Sequence, residues 1–178
     1  MRWIRLLAAL IRAKFKEKVQ ATDTVRLSVN VWITDIDVSI MNHAAIMTLF
    51  EIGRLDFMVR TNFFKVANKN KWYFPTQAIS VQYYRPLKMF QKAQLFTRIS
   101  YVDEKWIYVE QKLMRKDKVI AACLVKNTIK KGRETVSTFE IMEALNITEV
   151  PNKKYDLIET HELETTQMNT RLIEDWGV

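Results

Sequence analysis

The sequence is poor in glycine, proline, cysteine and histidine, and each shortage excludes a class of protein. It has three glycines and three prolines in 178 residues. Neither the G-x-G-x-x-G pattern of dinucleotide-binding folds nor the G-x-x-x-x-G-K-[ST] phosphate loop occurs, so the sequence does not indicate a nucleotide-dependent enzyme. We therefore expect chemistry that needs no cofactor.

Cysteine and histidine are too few for a disulfide framework or a metal centre. Cys123 is the single cysteine, so an intramolecular disulfide is excluded, and its apolar setting in VIAACLV predicts a buried thiol rather than a nucleophile. With only His43 and His161, and without a C-x-x-C pattern, we expect no structural metal site. This composition fits a cytoplasmic protein.

The charge is positive overall but unevenly distributed. The formal net charge is +8; residues 151–178 carry three bases and six acids, which leaves +11 on the other residues. A basic body attracts polyanions such as nucleic acid, anionic lipid or coenzyme A. The sequence contains no nucleic-acid-binding motif, so we expect no nucleic-acid partner.

Residues 1–20 are predicted to form a basic amphipathic helix, because apolar residues recur at steps of three and four along one face. That face comprises Ile4, Leu7, Ile11, Phe15 and Val19. The uncharged run at residues 6–11 is far shorter than the about 20 apolar residues that span a bilayer. Two interpretations stay open: the helix packs on the body of the protein, or it makes peripheral contact with an anionic membrane, such as the inner membrane surface.

The pattern over residues 21–147 predicts one α+β domain. A helix at residues 42–61 is apolar almost all round, so it has to be buried. An antiparallel sheet wrapped around that helix would cover it. Strands are predicted at residues 25–33, 72–84, 94–103, 106–115 and 119–130, with tight turns at 103–105 and 116–117.

The chain ends in two less regular parts. A short helix is predicted at residues 137–145, where Ser137 and Glu140 match a capping box. Residues 148–178 are polar and acidic, and we expect a linker at 148–152 followed by a loosely packed extension. We assign no function to this extension.

The segment 34–56 combines two acids with the start of the buried helix. Asp35 and Asp37 follow a strand-like run, and the helix begins a few residues later. A helix start presents free backbone N–H donors and a partial positive charge, so acids placed beside it indicate a site. The alternative is that Asp35, Asp37 or Asn42 only caps the helix. In extended structure, the two acids would point the same way.

The same segment resembles a known family. Its D-x-D, M-N-x-A and E-x-G-R-x-D elements are similar to the 4-hydroxybenzoyl-CoA thioesterase-like (acyl-CoA thioesterase) branch of the hot-dog fold, whose pattern reads D-x-D-x-x-x-H-M-N-N. The matching residues are Asp35, Asp37, Met41, Asn42, Glu51, Gly53 and Arg54. The usual histidine is absent, His43 replaces the second asparagine, and Ile46 stands where an aromatic residue is usual. Further on, residues 84–87 resemble the family's aromatic-x-Pro-Leu segment.

The resemblance implies a hot-dog fold and the hydrolysis of a fatty or aromatic acyl-CoA. It makes Asp37 the catalytic base or nucleophile and gives the oxyanion-binding backbone N–H to Met41 or Asn42. Glu51 is the second candidate carboxylate, unless it forms an ion pair with Arg54 one turn later. His43 either orients water, contacts substrate or forms a local hydrogen bond. The resemblance further implies a homodimer, or a tetramer made of two dimers.

Two rival functions remain on the sequence alone. The altered loop favours a hot-dog protein that binds acyl thioesters or lipid without turnover. The basic helix at residues 1–20 favours a membrane-surface interaction protein.

Overall fold

The chain forms one long central helix and a run of antiparallel strands, as predicted. The computed structural model describes residues 2–149 and 151–176. Met1, Val150, Gly177 and Val178, which belong to the predicted terminal segments, lie outside the described residues. In chain order the elements are α1 (Arg2–Lys14), β1 (Val25–Asn30), a 3-10 turn (Ile33–Asp35), β2 (Ile36–Asp37), β3 (Ile40–Met41), α2 (His43–Arg60), α3 (Phe63–Asn70), β4 (Thr76–Tyr83), β5 (Lys92–Val102), β6 (Ile107–Arg115), β7 (Lys118–Asn127), β8 (Ile129–Lys131), β9 (Glu134–Val136), α4 (Thr138–Ala144) and α5 (Asp156–Trp176).

The main sheet has five antiparallel strands in the order β1-β5-β6-β7-β4. Strand β4 follows α2 in sequence but pairs with β7, so β1 and β4 are the two edges. The β6–β7 turn has positive φ at both Lys116 (47°) and Asp117 (59°), which is the two-residue hairpin geometry that fits strand twist. With α2 packed on its inner face, this sheet is the expected hot-dog fold.

Helix α2 occupies the predicted segment and is buried on most of its surface. The helix was predicted at residues 42–61. It spans His43–Arg60, and Asn42 and Thr61 are its capping residues, so the bounds agree. The helix approaches the sheet most closely at Gly53. A Cβ atom there would lie 2.5 Å from Leu95 Cδ2 and 2.9 Å from Gln111 Nε2, so glycine permits this close crossing.

Helix α1 packs on the body of the protein, but not through the face that the sequence predicted. Leu6 and Ala13 are buried against the core, whereas most of the predicted apolar face is exposed. The exposed members are Ile4, Leu7, Ile11 and Phe15. The helix ends at Lys14, well before residue 20. Among the described residues, no helix is both long and apolar enough to cross a membrane.

The acidic C-terminal segment is a docked helix rather than a loose extension. Ile158 and His161 of α5 are almost fully buried on the outer face of the sheet, with Tyr108 and Leu124. Tyr108 Oη donates a 2.5 Å hydrogen bond to Glu162. Burial, together with the nearby positive charge of Lys126, lowers the pKa of His161. The prediction of a loose extension relied on the acidic composition of this segment, which gives no indication of its few buried residues.

The sequence did not predict three of the short elements. Helix α3 and the small hairpins β2–β3 and β8–β9 lie in segments with too few residues for a periodic pattern. The short helix α4 was predicted, and Ser137 caps it, accepting a hydrogen bond from the Phe139 amide at 3.3 Å.

Candidate active site

The β2–β3 hairpin places Asp37 beside the start of α2. Asp37 pairs with Ile40, and Val38 at the tip has a positive φ of 54°. The Ser39 amide donates to the Asp37 carbonyl at 2.6 Å, which closes the turn. The Asp37 side chain is exposed, and it has no hydrogen bond or ion pair with any described residue. It is therefore a carboxylate available to a ligand, and it does not cap α2.

Asp35 has a different role, although it is only two residues away. Its carboxylate is buried, forms an ion pair with Arg5 of α1, and accepts the Trp32 amide at 2.9 Å. Its carbonyl accepts the Asn42 amide at 2.9 Å. The expectation that Asp35 and Asp37 point the same way is wrong, because Asp35 ends a 3-10 turn instead of continuing an extended strand.

The start of α2 has two backbone donors to which no described residue offers an acceptor. The Asn42 side chain caps the helix, accepting the Ala45 amide at 2.8 Å. The Met41 amide donates to the Leu87 carbonyl at 2.8 Å, and the Asn42 amide is taken by Asp35. Within the described residues, the amides of His43 and Ala44 have no hydrogen-bond acceptor. Both residues are exposed, so these donors point to a surface where an anion can bind.

The loop around Leu87 explains the second part of the resemblance. Leu87 is fully buried, and its carbonyl holds Met41 in place. The aromatic-x-Pro-Leu segment thus supports the loop that precedes α2.

Glu51 lies farther along α2, in the wall of a cavity of about 220 Å³. The other lining residues are mostly apolar: Leu55, Phe57, Met58, Phe63, Phe74, Ile99, Ile107 and Val109, with Arg54, Thr76 and Asn127. Glu51 is half-buried, and its carboxylate has no hydrogen bond or ion pair among the described residues. The alternative in which Glu51 forms an ion pair with Arg54 is therefore not observed.

Arg54 is directed to the sheet instead. Its guanidinium donates to Gln111 Oε1 at 2.9 Å, and Gln111 Nε2 donates to the Phe50 carbonyl at 2.9 Å and to Thr97 Oγ1 at 3.0 Å. Burial lowers the pKa of Arg54, while the nearby Cys123 and Glu51 oppose that shift. This network fixes the middle of α2 to the sheet. Sequence reasoning missed Gln111, since a glutamine within an alternating strand carries no signal of burial.

Cys123 has the buried position that the sequence predicted. It lies on β7 opposite Gln111 and is 3% exposed. Burial raises the pKa of its thiol to about 11, although Arg54 opposes the shift. The thiol is therefore protonated near neutral pH and is a poor nucleophile.

The two candidate carboxylates belong to different parts of α2. Ala44 and Glu51 share a face of the helix, and seven residues of helical rise separate them by roughly 10 Å. A thioester carbonyl bound at the first turn would therefore lie far from Glu51. Among the described residues, no group of three or more histidine, cysteine, aspartate and glutamate side chains is arranged to hold a metal ion.

Comparisons with solved structures agree with this fold. A probable thioesterase from Bartonella henselae is 20% identical, with a TM-score of 0.60 over 65% of this chain and 98% of that one. A 1,4-dihydroxy-2-naphthoyl-CoA thioesterase from Synechocystis is 8% identical, with a TM-score of 0.61 over 74% and 100%. A hypothetical protein from Staphylococcus aureus, solved in complex with CoA, is 14% identical, with a TM-score of 0.59 over 78% and 93%.

The sequence itself also matches a family. A comparison with curated proteins gave no match. The family model described as the thioesterase-like superfamily matches residues 31–152, a span that contains the β2–β3 hairpin, α2 and the strands β4 to β7. The match leaves out α1, β1 and α5. The chain therefore belongs to the thioesterase-like superfamily.

Proposed function

We propose that the protein is an acyl-CoA thioesterase whose reaction takes place at the first turn of α2. The observation that carries this proposal is the pairing of an available carboxylate, Asp37, with two backbone N–H donors, those of His43 and Ala44, that have no acceptor among the described residues. Hydrolysis of a thioester needs a base or nucleophile and donors for the developing oxyanion. Membership of the superfamily and the likeness to CoA-binding and thioesterase structures support the substrate class.

The proposed reaction uses groups of the protein and one water molecule. Asp37 takes a proton from a water molecule while the oxygen of that water attacks the thioester carbonyl carbon. The carbonyl oxygen then becomes an oxyanion. The amides of His43 and Ala44, aided by the helix dipole, stabilise that charge. The intermediate then collapses, the carbon–sulfur bond breaks, and the proton held by Asp37 passes to the CoA thiolate. In a variant of this route, Asp37 attacks the carbonyl directly and water hydrolyses the resulting anhydride.

Met41 and Asn42 have supporting roles in this proposal. One of the two was expected to supply the oxyanion donor, but their amides bind the carbonyls of Leu87 and Asp35. We therefore assign the donors to the next two amides of the helix. The His43 side chain is exposed and has no hydrogen bond to the described residues, so its imidazole is available to substrate or water.

The cavity beside Glu51 is proposed to hold the acyl group. It lies on the face of α2 that begins at Ala44, so an acyl chain bound at the first turn can extend along the helix into it. Its volume of about 220 Å³ is below the about 300–1,000 Å³ typical of drug-sized ligands. We therefore expect a short or medium acyl chain, or one aromatic ring. If the thioester group itself bound inside this cavity, Glu51 and not Asp37 would lie beside the reacting carbon.

We also propose that the protein is a homodimer. Strand β4 is an edge of the sheet, and its Ile79 and Tyr83 side chains are exposed. An unpaired edge with exposed apolar side chains invites pairing with a second copy. Light scattering at micromolar concentration should give the mass of a dimer or of two paired dimers, and a folded monomer would contradict the proposal.

The activity is tested by free-thiol release from a panel of acyl-CoAs. Acetyl-, octanoyl-, palmitoyl- and benzoyl-CoA should separate short, medium, long and aromatic substrates, and we expect octanoyl- or benzoyl-CoA to be turned over fastest. Calorimetric binding measurements with the same compounds test the rival function, which is binding of acyl thioesters without turnover. Tight binding without thiol release from any of them would establish a binding protein instead of an enzyme.

A further inference from the structure

The predicted apolar face of α1 forms a hydrophobic surface that the described residues leave exposed. Four large apolar side chains of the helix and one directly after it are exposed: Trp3, Ile4, Leu7, Ile11 and Phe15. Phe15 is 87% and Trp3 76% exposed, although apolar side chains of this size are usually buried in proteins. Contiguous exposed apolar surface of this kind marks an interaction site.

The exposed surface continues from α1 onto the body of the protein. Ile4 and Trp32 line the same cleft, of about 260 Å³, between α1 and β1. Trp32 and Ile33 are exposed as well. The surface therefore combines α1 with the residues that follow β1. We call Trp3, Ile4, Leu7, Ile11, Phe15, Trp32 and Ile33 the N-terminal apolar surface.

Helix α1 is held in a fixed orientation beneath this surface. Arg5 forms an ion pair with the buried Asp35, and Lys16 forms one of 2.6 Å with the buried Asp56. Leu6 is buried against the core. Because these contacts hold the opposite side of α1, its apolar face cannot turn inward without breaking them.

The charges around the N-terminal apolar surface are almost all positive. Residues 2–18 contain six bases and one acid. Arg5 and Lys16 are engaged in the ion pairs, and Lys18 donates to the Val59 carbonyl at 2.7 Å, whereas Arg12 and Lys14 are exposed. Aromatic and aliphatic side chains flanked by lysine and arginine are typical of helices that lie in the interface of anionic membranes. A second copy presenting the same positive surface would be repelled.

We propose that the N-terminal apolar surface docks on anionic lipid bilayers. Helix α1, with 13 residues, would lie in the plane of the membrane, its apolar face among the upper acyl chains and its bases at the phosphates. The Trp32 side chain would enter the same interface. The contact would be peripheral and reversible, because one short amphipathic helix inserts only at the boundary of headgroups and acyl chains.

The test is flotation of the full-length protein with two kinds of vesicle, phosphatidylcholine alone and phosphatidylcholine with an equal amount of phosphatidylglycerol. We expect the protein to float with the second kind, and to float less as salt is raised. The double variant Leu7→Ser with Ile11→Ser should lower the partition coefficient between vesicles and buffer by about tenfold or more. It removes two apolar side chains that would be buried among the acyl chains of the membrane. Lys14→Glu should also weaken binding, since it reverses one charge at the phosphates.

The matched control is Leu157→Ser with Leu163→Ser, which changes two exposed leucines of α5. This variant should float as the unchanged protein does, and all variants should keep its unfolding midpoint. Absence of flotation of the unchanged protein with anionic vesicles would overturn the proposal. An equal loss in the α5 control would also overturn it. If the α1 double variant lowers the mass seen by light scattering without changing flotation, a second copy covers this surface and the proposal is wrong.

Discussion

The first turn and the middle of α2 differ in how their polar groups are engaged. At the first turn, the Asp37 carboxylate and the amides of His43 and Ala44 have no partner among the described residues. In the middle, Arg54 is fixed by Gln111, and the unpaired Glu51 lies in a largely apolar wall. The first turn can therefore receive negative charge, whereas the middle of the helix lines a mostly apolar cavity that can hold an apolar group. Both features fit the proposed reaction, in which the charged step takes place at the first turn.

The largest expected effect comes from removing one backbone donor at the first turn. His43→Pro deletes the amide N–H at the first helical position, where proline is well tolerated. The preceding residue, Asn42, already has the extended conformation that proline requires, with φ −75° and ψ 158°. We expect kcat for thiol release to fall by about 10²–10³-fold, the range for loss of an oxyanion donor.

The control for this variant is His43→Ala, which removes the imidazole and keeps the amide. It should remain within a few-fold of the unchanged protein, and both variants should keep the same unfolding midpoint. If His43→Pro retains full activity while folded, the oxyanion does not bind at this amide, and the contrast between the two parts of α2 is wrong.

A smaller effect is expected from Gly53→Ala in the middle of the helix. Alanine is a better helix former than glycine by about 1 kcal/mol, which on its own would stabilise the protein. The added Cβ would meet Leu95 at 2.5 Å and Gln111 at 2.9 Å, and these side chains are fully buried. We expect a net loss of about 1–3 kcal/mol in the free energy of unfolding, measured by urea denaturation.

Thr48→Ala is the matched control on the same helix, at a partly exposed position. Its free energy of unfolding should change by at most about 0.5 kcal/mol. A more stable Gly53→Ala protein would mean that α2 does not approach the sheet as closely as described. The conclusion that the middle of α2 is fixed against the sheet would then be wrong.

The elements that could be predicted from the sequence are those specified by local pattern. Helix α2 is apolar on most sides, and its capping residue Asn42 precedes it directly, so its position and bounds followed from the residues alone. The hairpin at Lys116 and Asp117 likewise follows from two alternating strands that flank a two-residue turn.

The parts that could not be predicted depend on contacts between distant residues. The ion pair between Arg5 and Asp35 joins residues 30 positions apart, and it decides that Asp35 is structural. The Met41 amide is taken by Leu87, which moves the available donors to the next residues. For α1, periodicity identified an apolar face but not which face the body would cover. Long-range packing settled that question through Leu6 and Ala13.

The central claim is that the reacting carboxylate is Asp37 at the first turn and not Glu51 in the middle. Free-thiol release by Asp37→Asn and Glu51→Gln, measured side by side on the best substrate of the panel, tests it most directly. Each change removes a charge and preserves size, so both proteins should keep their unfolding midpoints. We expect Asp37→Asn to lose about 10²-fold or more in turnover, as for a positioned base, and Glu51→Gln to lose only a few-fold. Abolished turnover in Glu51→Gln with normal turnover in Asp37→Asn would place the chemistry in the cavity and contradict the claim.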